Sequence, residues 1–265
     1  MTHSTQPGEI HELLESATAQ GILSPGASSL LTGHLGPMVI AGAAGAALED
    51  IVATDVTLVT LLIDASSSIA HRNLERAVRE GQHALLDAFA KCREVDSILT
   101  ALWTFNDRQK VVHAYVPVKD ATRLDAKTYA ATGCTILYDT WCDALASNVA
   151  YAQRLRDSGT PVRSVVVVVT DGEDTGSRRT AAECARLSQD LLASEQFMLA
   201  FVGVGSDADF RQVARAMGVP DGSIAVQKAA TPESLRRIFQ LVSQSAIRAS
   251  QGLIKPGAQA GFFGP

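Results

Sequence analysis

The sequence predicts an α/β fold: a doubly wound, mostly parallel central sheet of about six strands, helices on both faces and one antiparallel edge strand. Three observations carry that prediction. Val56–Ile63 and Val165–Val169 are nearly unbroken aliphatic runs, as expected of strands covered on both faces. Between such runs lie stretches whose apolar residues recur at spacings of three and four, the stripe of a helix. The two kinds of segment interleave along the chain, and that alternation builds parallel sheets.

Residues 1–52 differ in texture from the rest. A helix is predicted from Glu9 to Ala19, followed by the punctuation Ser24-Pro25-Gly26. Leu35–Leu48 is almost uncharged and rich in Gly and Ala, and Glu49 and Asp50 close it. It is too short to span a bilayer, so a packed helix or close-fitting loop is expected. A stretch of ~50 residues with few large apolar side chains makes a marginal domain by itself. It is therefore read as an extension packing on a main domain of residues 53–250.

Within that domain, Thr57–Ile63 is the first strand. Ile69–Cys92 follows as a helix, with Leu74, Val78, Gly81, Leu85, Ala88 and Cys92 on one stripe. Ser97–Phe105 and Val111–Val118 read as strands joined by the turn Asn106-Asp107-Arg108. A helix over Leu137–Arg156, the strand Val162–Thr170 and a helix over Thr180–Ser194 come next. Phe197–Val204 is a further strand, ended by Gly205. A short helix near Asp209–Met217 and a small strand, Ser223–Val226, precede the last helix. That helix starts where Thr231 caps and Pro232 takes the first helical position. The segment 251–265, rich in Gly and Pro, is expected to be a flexible tail, with Phe262-Phe263 as a possible docking pair.

Composition narrows the function. The chain has 265 residues, 46% of them apolar, enough to bury a substantial core. Its 28 acidic and 23 basic residues leave a net charge of −5, without the basic excess that nucleic-acid binding needs. Cys92, Cys134, Cys142 and Cys184 are scattered, with no Cys-x-x-Cys pair and no histidine cluster to suggest zinc. The first residues lack a basic region followed by an apolar core, which argues against a secretory signal and for the cytoplasm.

The chemistry concentrates in three short motifs. Asp64-Ala65-Ser66-Ser67-Ser68 leaves the first strand, and an extended backbone there points Asp64, Ser66 and Ser68 the same way. Thr135 lies in Thr-Gly-Cys-Thr-Ile-Leu-Tyr-Asp, just before a helix, and Asp171 in Thr-Asp-Gly at the end of the fourth strand. In a doubly wound sheet, loops at the carboxyl ends of strands converge, so these residues arrive on one rim. Carboxylates and hydroxyls are hard donors suited to Mg²⁺, with Mn²⁺ or Ca²⁺ as alternatives. Alone, Asp-x-Ser-x-Ser is also the pattern of a turn and helix cap.

Over residues 54–250 the pattern resembles the von Willebrand factor A family of intracellular bacterial type and its metal-ion-dependent adhesion site. Matching motif by motif, the resemblance implies Asp64, Ser66, Ser68, Thr135 and Asp171 as the metal-binding set. Ser67 stands where relatives commonly have Gly, as does Cys134, and Thr132 is a rival for Thr135. Asp139 and Glu173 are candidates for a supporting shell behind the ligands. In the family an acidic side chain from a partner protein completes the ion's coordination. The resemblance also implies an adaptor or assembly role, with an AAA+ ATPase or a stress or defence system as a possible partner.

Two other readings stay open: a structural assembly module whose metal only stabilises loops, and a metal-dependent hydrolase. The hydrolase lacks companion parts, with no phosphate-binding Gly-rich Lys loop, no Gly-x-Ser-x-Gly elbow and no evident general base. Gly203-Val204-Gly205 is a turn rather than a dinucleotide site, and His71 and His83 are given no catalytic role.

Overall fold

The computed structural model describes residues 6–257 and 261–264. Residues 1–5, the first of the N-terminal extension, and residues 258–260 and 265 of the expected tail lie outside the described residues.

The extension forms α1 (Pro7–Ala19), α2 (Pro25–Thr32) and α3 (Pro37–Ala43). Then come β1 (Val56–Asp64), α4 (Ser67–His71), α5 (Glu75–Lys91), β2 (Ile98–Phe105) and β3 (Gln109–Pro117). The second half holds α6 (Leu137–Asp157), β4 (Val162–Thr170), α7 (Ala181–Ala193), β5 (Phe197–Val204), α8 (Phe210–Ala216), β6 (Ile224–Gln227) and α9 (Pro232–Ser250). Among the described residues the sheet has six strands in the order β3-β2-β1-β4-β5-β6. Only β3 runs antiparallel to its neighbour. The predicted doubly wound α/β fold with an antiparallel edge strand is therefore the fold of the chain.

The aliphatic runs are explained by what covers the two faces. Leu62, Val166 and Val168 point into one core with Trp141, Leu145 and Leu187 of α6 and α7. Their neighbours Leu61, Ile63, Val165 and Val167 point into the other, with Val78, Leu85, Phe239 and Val242 of α5 and α9. Successive strand residues face opposite ways, so burying both faces demands apolar residues at both parities. The α5–α9 contact depends on Gly81: a Cβ there would fall 2.1 Å from Phe239 Cδ2.

The extension supplies core rather than decoration. Ile10, Leu14, Ala17, Leu31, Val39 and Ala43 are buried in the same cluster as Trp103 and Trp141. The Gly- and Ala-rich stretch is both a short helix and a close-fitting loop. A Cβ on Gly42 would lie 2.0 Å from Trp103 Cζ2, and one on Gly45 would lie 2.3 Å from Tyr151 Cε2. Gly45 also bridges to Tyr115 of β3: the Ala46 amide donates to the Tyr115 carbonyl at 2.8 Å.

Two expectations are corrected. The helix expected over Ile69–Cys92 is two helices, because Asn73 takes a left-handed φ of 55°. The Asn73 amide bonds the Ala70 carbonyl (2.9 Å) and the Leu74 amide the Ile69 carbonyl (3.0 Å), a Schellman closure that ends α4. Asn fits because its short polar side chain tolerates this conformation better than most.

The flexible tail is also corrected over its described part. Phe262 is fully buried, its amide donating to Ser223 Oγ at 3.1 Å, while the Phe263 amide donates to the Gly222 carbonyl at 3.1 Å. Gly222 and Gly261 permit this approach, since a Cβ on Gly222 would sit 2.7 Å from the Gly261 Cα.

Candidate metal site

The strand order reverses between β1 and β4: after β1 the chain builds outward through β2 and β3, then returns to the other side of β1. These two strands pair in parallel with Ile63 opposite Val169. Asp64 closes β1 and Asp171 follows β4, so the register alone sets the two carboxylates side by side at the switch point, where doubly wound sheets bind ligands.

From Asp64 the chain turns. Its Oδ1 accepts from the Ser66 amide at 2.8 Å, and its Oδ2 accepts from Thr170 Oγ1 at 2.5 Å. The first contact is the Asx turn anticipated for an isolated Asp-x-Ser. Ser66, extended at φ −76°, starts α4. Its Oγ lies 3.0 Å from Ser68 Oγ, and Ser68 Oγ donates to Asp171 Oδ1 at 2.6 Å. Asp64, Ser66, Ser68 and Asp171 thus form one connected oxygen cluster spanning two strands and a helix start.

Thr135 comes from the loop before α6. Gly133, at φ 76°, turns that loop, and its carbonyl accepts from the Ser67 amide (3.1 Å) and Ser67 Oγ (3.0 Å). The Ser at the position where relatives have Gly therefore ties the two loops together. Thr135 is itself pinned by exchange with Thr175: its amide donates to Thr175 Oγ1 at 3.1 Å, and the Thr175 amide to its carbonyl at 2.9 Å. Its hydroxyl points at the Asp171-Gly172 turn, 3.6 Å from where a Gly172 Cβ would be. Thr135 is buried, whereas its rival Thr132 is exposed.

The supporting candidates lie elsewhere. The Asp139 carboxylate accepts from the Arg178 and Arg179 amides (3.1 and 2.9 Å to Oδ1), which braces the loop after β4 without touching the cluster. Glu173 is exposed and lines a separate cavity beside Asp207 and Asp209.

Residues that the motif reading gave no role hold the cluster. Tyr129 Oη donates to the Asp64 carbonyl at 2.6 Å. Arg72 Nη1 pairs with Asp171 Oδ2 at 2.7 Å, while its Nη2 meets Asp207. Arg72 follows Ser68 by four residues, one helical turn, a spacing that carries a usable signal; nothing near Tyr129 announces its contact.

The electrostatics favour a cation. Asp64 and Asp171 are each 1% exposed. Burial raises the Asp64 carboxyl to about 6, with the Asp171 charge adding to it and the Thr170 and Ser66 hydrogen bonds opposing. Burial also raises Asp171, and the Ser68 hydrogen bond and Arg72 partly offset it. Asp171 has Arg72 as a counter-charge; Asp64 has only neutral donors. Among the described residues no group of three or more His, Cys, Asp or Glu could hold a metal, so a site here must use hydroxyls. Two carboxylates and three hydroxyls, with one carboxylate lacking any cationic neighbour, fit a hard divalent ion.

A doubly wound sheet with an oxygen cluster at its switch point defines the class. A family model described as the von Willebrand factor type A domain matches residues 59–241, more than half of the chain, and the chain belongs to that family. Comparison with curated proteins returned no match. Among solved structures it is similar to a von Willebrand factor type A protein from Catenulispora acidiphila, at 19% identity and a TM-score of 0.50. That match covers 73% of this chain and 43% of the other. The PilB minor pilin of Streptococcus sanguinis matches at 11% identity and TM-score 0.54, covering 77% and 64%. The pilus adhesin SpaC of Lactobacillus rhamnosus GG matches at 13% and 0.56, covering 74% and 30%. The chain spans less than two thirds of each of these proteins, and at such identities the likeness speaks for the fold.

Proposed function

We propose that this chain is a metal-dependent protein-binding module of adaptor or assembly type. Asp64, Ser66, Ser68, Thr135 and Asp171 hold a divalent cation, Mg²⁺ or else Mn²⁺ or Ca²⁺. A carboxylate from a partner protein fills a remaining coordination position. The observation that carries this reading is the buried Asp64 carboxylate, which faces a second carboxylate and has only neutral donors around it. A divalent ion would relieve that charge, and the neutral hydroxyls leave it electrophilic toward an incoming acid.

Membership in the family supports an interaction role over catalysis. An AAA+ ATPase as the partner rests on the family resemblance alone, as does an intracellular bacterial setting. No helix among the described residues is long and apolar enough to cross a membrane.

Calorimetry with Mg²⁺ and Mn²⁺ tests the site. Wild type is expected to bind one ion and Asp171→Ala to lose it, with capture of a protein partner abolished by chelator. Failure of the wild type to bind either ion removes the proposal. Ion binding with chelator-insensitive partner capture favours the structural assembly role instead.

A further inference from the structure

A second surface adjoins the candidate site. Ala65, which separates Asp64 from Ser66, forms one wall of a cleft of about 310 Å³ between the end of β2, the start of β3 and the loop of residues 127–130. Asn106 and Tyr129 also line it. Both touch the site's framework: the Asn106 carbonyl accepts from the Ile136 amide at 2.9 Å, and Tyr129 Oη bonds the Asp64 carbonyl. The mouth of the cleft carries Arg108, Lys110 and Lys127, all exposed.

Each of these cations keeps at most a distant acidic neighbour. Lys110 Nζ donates to the Thr128 carbonyl at 3.2 Å and has no acidic partner within 4.0 Å among the described residues, nor has Lys127. Arg108 reaches Asp107 only at 4.0 Å. Asp107 Oδ1 lies toward Gly133, 2.6 Å from where a Cβ would sit. The nearby Asp125 accepts from the Lys127 and Thr128 amides at 2.8 Å each, and the Lys127 charge reaches it only at longer range. The cavity on the opposite side of the site mixes Glu173, Asp207 and Asp209 with Arg211 and Lys228 and offers an acidic ligand no such preference.

Resting on the proposed function, we infer that the partner is an acidic peptide segment. One of its carboxylates completes the ion's shell, and the neighbouring ones lie along the cleft over Arg108, Lys110 and Lys127. Charge complementarity of this kind sets orientation and partner choice more than raw affinity. A strand of nucleic acid would meet the same three cations, but it carries its charge along an extended backbone that needs a longer basic surface than this one cleft offers.

The test uses the full chain and a fluorescein-labelled oligo-glutamate peptide, followed by anisotropy with Mg²⁺ or with chelator. Comparison ligands are a Gly/Ser peptide carrying one Glu and an oligo-thymidylate. The expected results are Mg²⁺-dependent binding of oligo-glutamate, weaker binding of the single-Glu peptide, and a loss of about tenfold or more in the triple variant Arg108→Glu, Lys110→Glu, Lys127→Glu. Mg²⁺ affinity of that variant, measured by calorimetry, is expected to stay within about twofold of wild type, because the substituted side chains are exposed. Mg²⁺-dependent binding that the triple variant retains overturns the cleft and leaves the proposed function standing. Binding indifferent to chelator overturns the ion-anchored arrangement and the reading beneath it. Tighter binding of oligo-thymidylate, or no binding of oligo-glutamate, overturns the inference outright.

Discussion

Asp64 shows how a single side chain can hold a fold back until its ligand arrives. Its folded-state carboxyl titrates at about 6 against an ordinary value of 3.8, so between these values the folded protein binds the proton that the unfolded chain has released. Stability from this group is present below the lower value and lost as pH rises through the upper one. The shift corresponds to roughly 3 kcal/mol. In the metal-free protein, Asp64→Asn is expected to be more stable than wild type at about pH 7, with the gap shrinking by that amount toward about pH 4. Urea titrations across this range read the gap directly, and one that does not vary with pH would remove Asp64 as its source. The same substitution should erase any stabilisation by Mg²⁺. At this scale the motif residues were legible because Asp-x-Ser-x-Ser, Thr135 and Asp171 carry their chemistry in their identities. Arg72, Tyr129 and Thr170 were not assigned roles, since what they touch depends on which strands become neighbours.

At the scale of elements, hydrophobic patterning revealed the strands nearly to their ends. Thr57–Ile63 became Val56–Asp64, and Val162–Thr170 matched without change. A strand buried on both faces leaves no room for polar alternation, so the signal is dense. The break at Asn73 leaves only a faint mark in the sequence: Ile69 and Leu74 stand five residues apart, off the stripe of three-and-four spacing that holds from Leu74 onward. Gly81 was placed correctly on that stripe, yet the need for glycine appears only when Phe239 of α9 arrives. Two effects oppose each other in Gly81→Ala: helix propensity favours Ala by about 1 kcal/mol, while a Cβ 2.1 Å from the Phe239 ring must push it aside. Overpacking of this kind costs about 1–3 kcal/mol. We expect it to win, lowering the urea midpoint; a higher midpoint would mean that α5 and α9 separate without penalty.

The molecule as a whole extends beyond residues 59–241 that match the family. Residues 10–43 fill one core beside Trp103 and Trp141, and Phe262 fills the other. Neither role was fully legible: the extension reads as apolar but thin, and the partner of Phe262 lies 39 residues back at Ser223. Phe262→Ala is expected to destabilise the protein by about 3–5 kcal/mol in urea unfolding; a change under about 1 kcal/mol would show that the aromatic contributes little there.

The Gly45 bridge to Tyr115 lies along β3, and Phe262-Phe263 lie against Gly222 and Ser223 in the turn just before β6. Those are the two outermost strands of the sheet. An uncovered outer strand presents free amides and carbonyls that template pairing with another copy. The N-terminal segment thus occupies part of the β3 border at Tyr115. Trimming the protein to its family core would bare that stretch of β3, and light scattering of the trimmed protein is expected to show more self-association than the full chain.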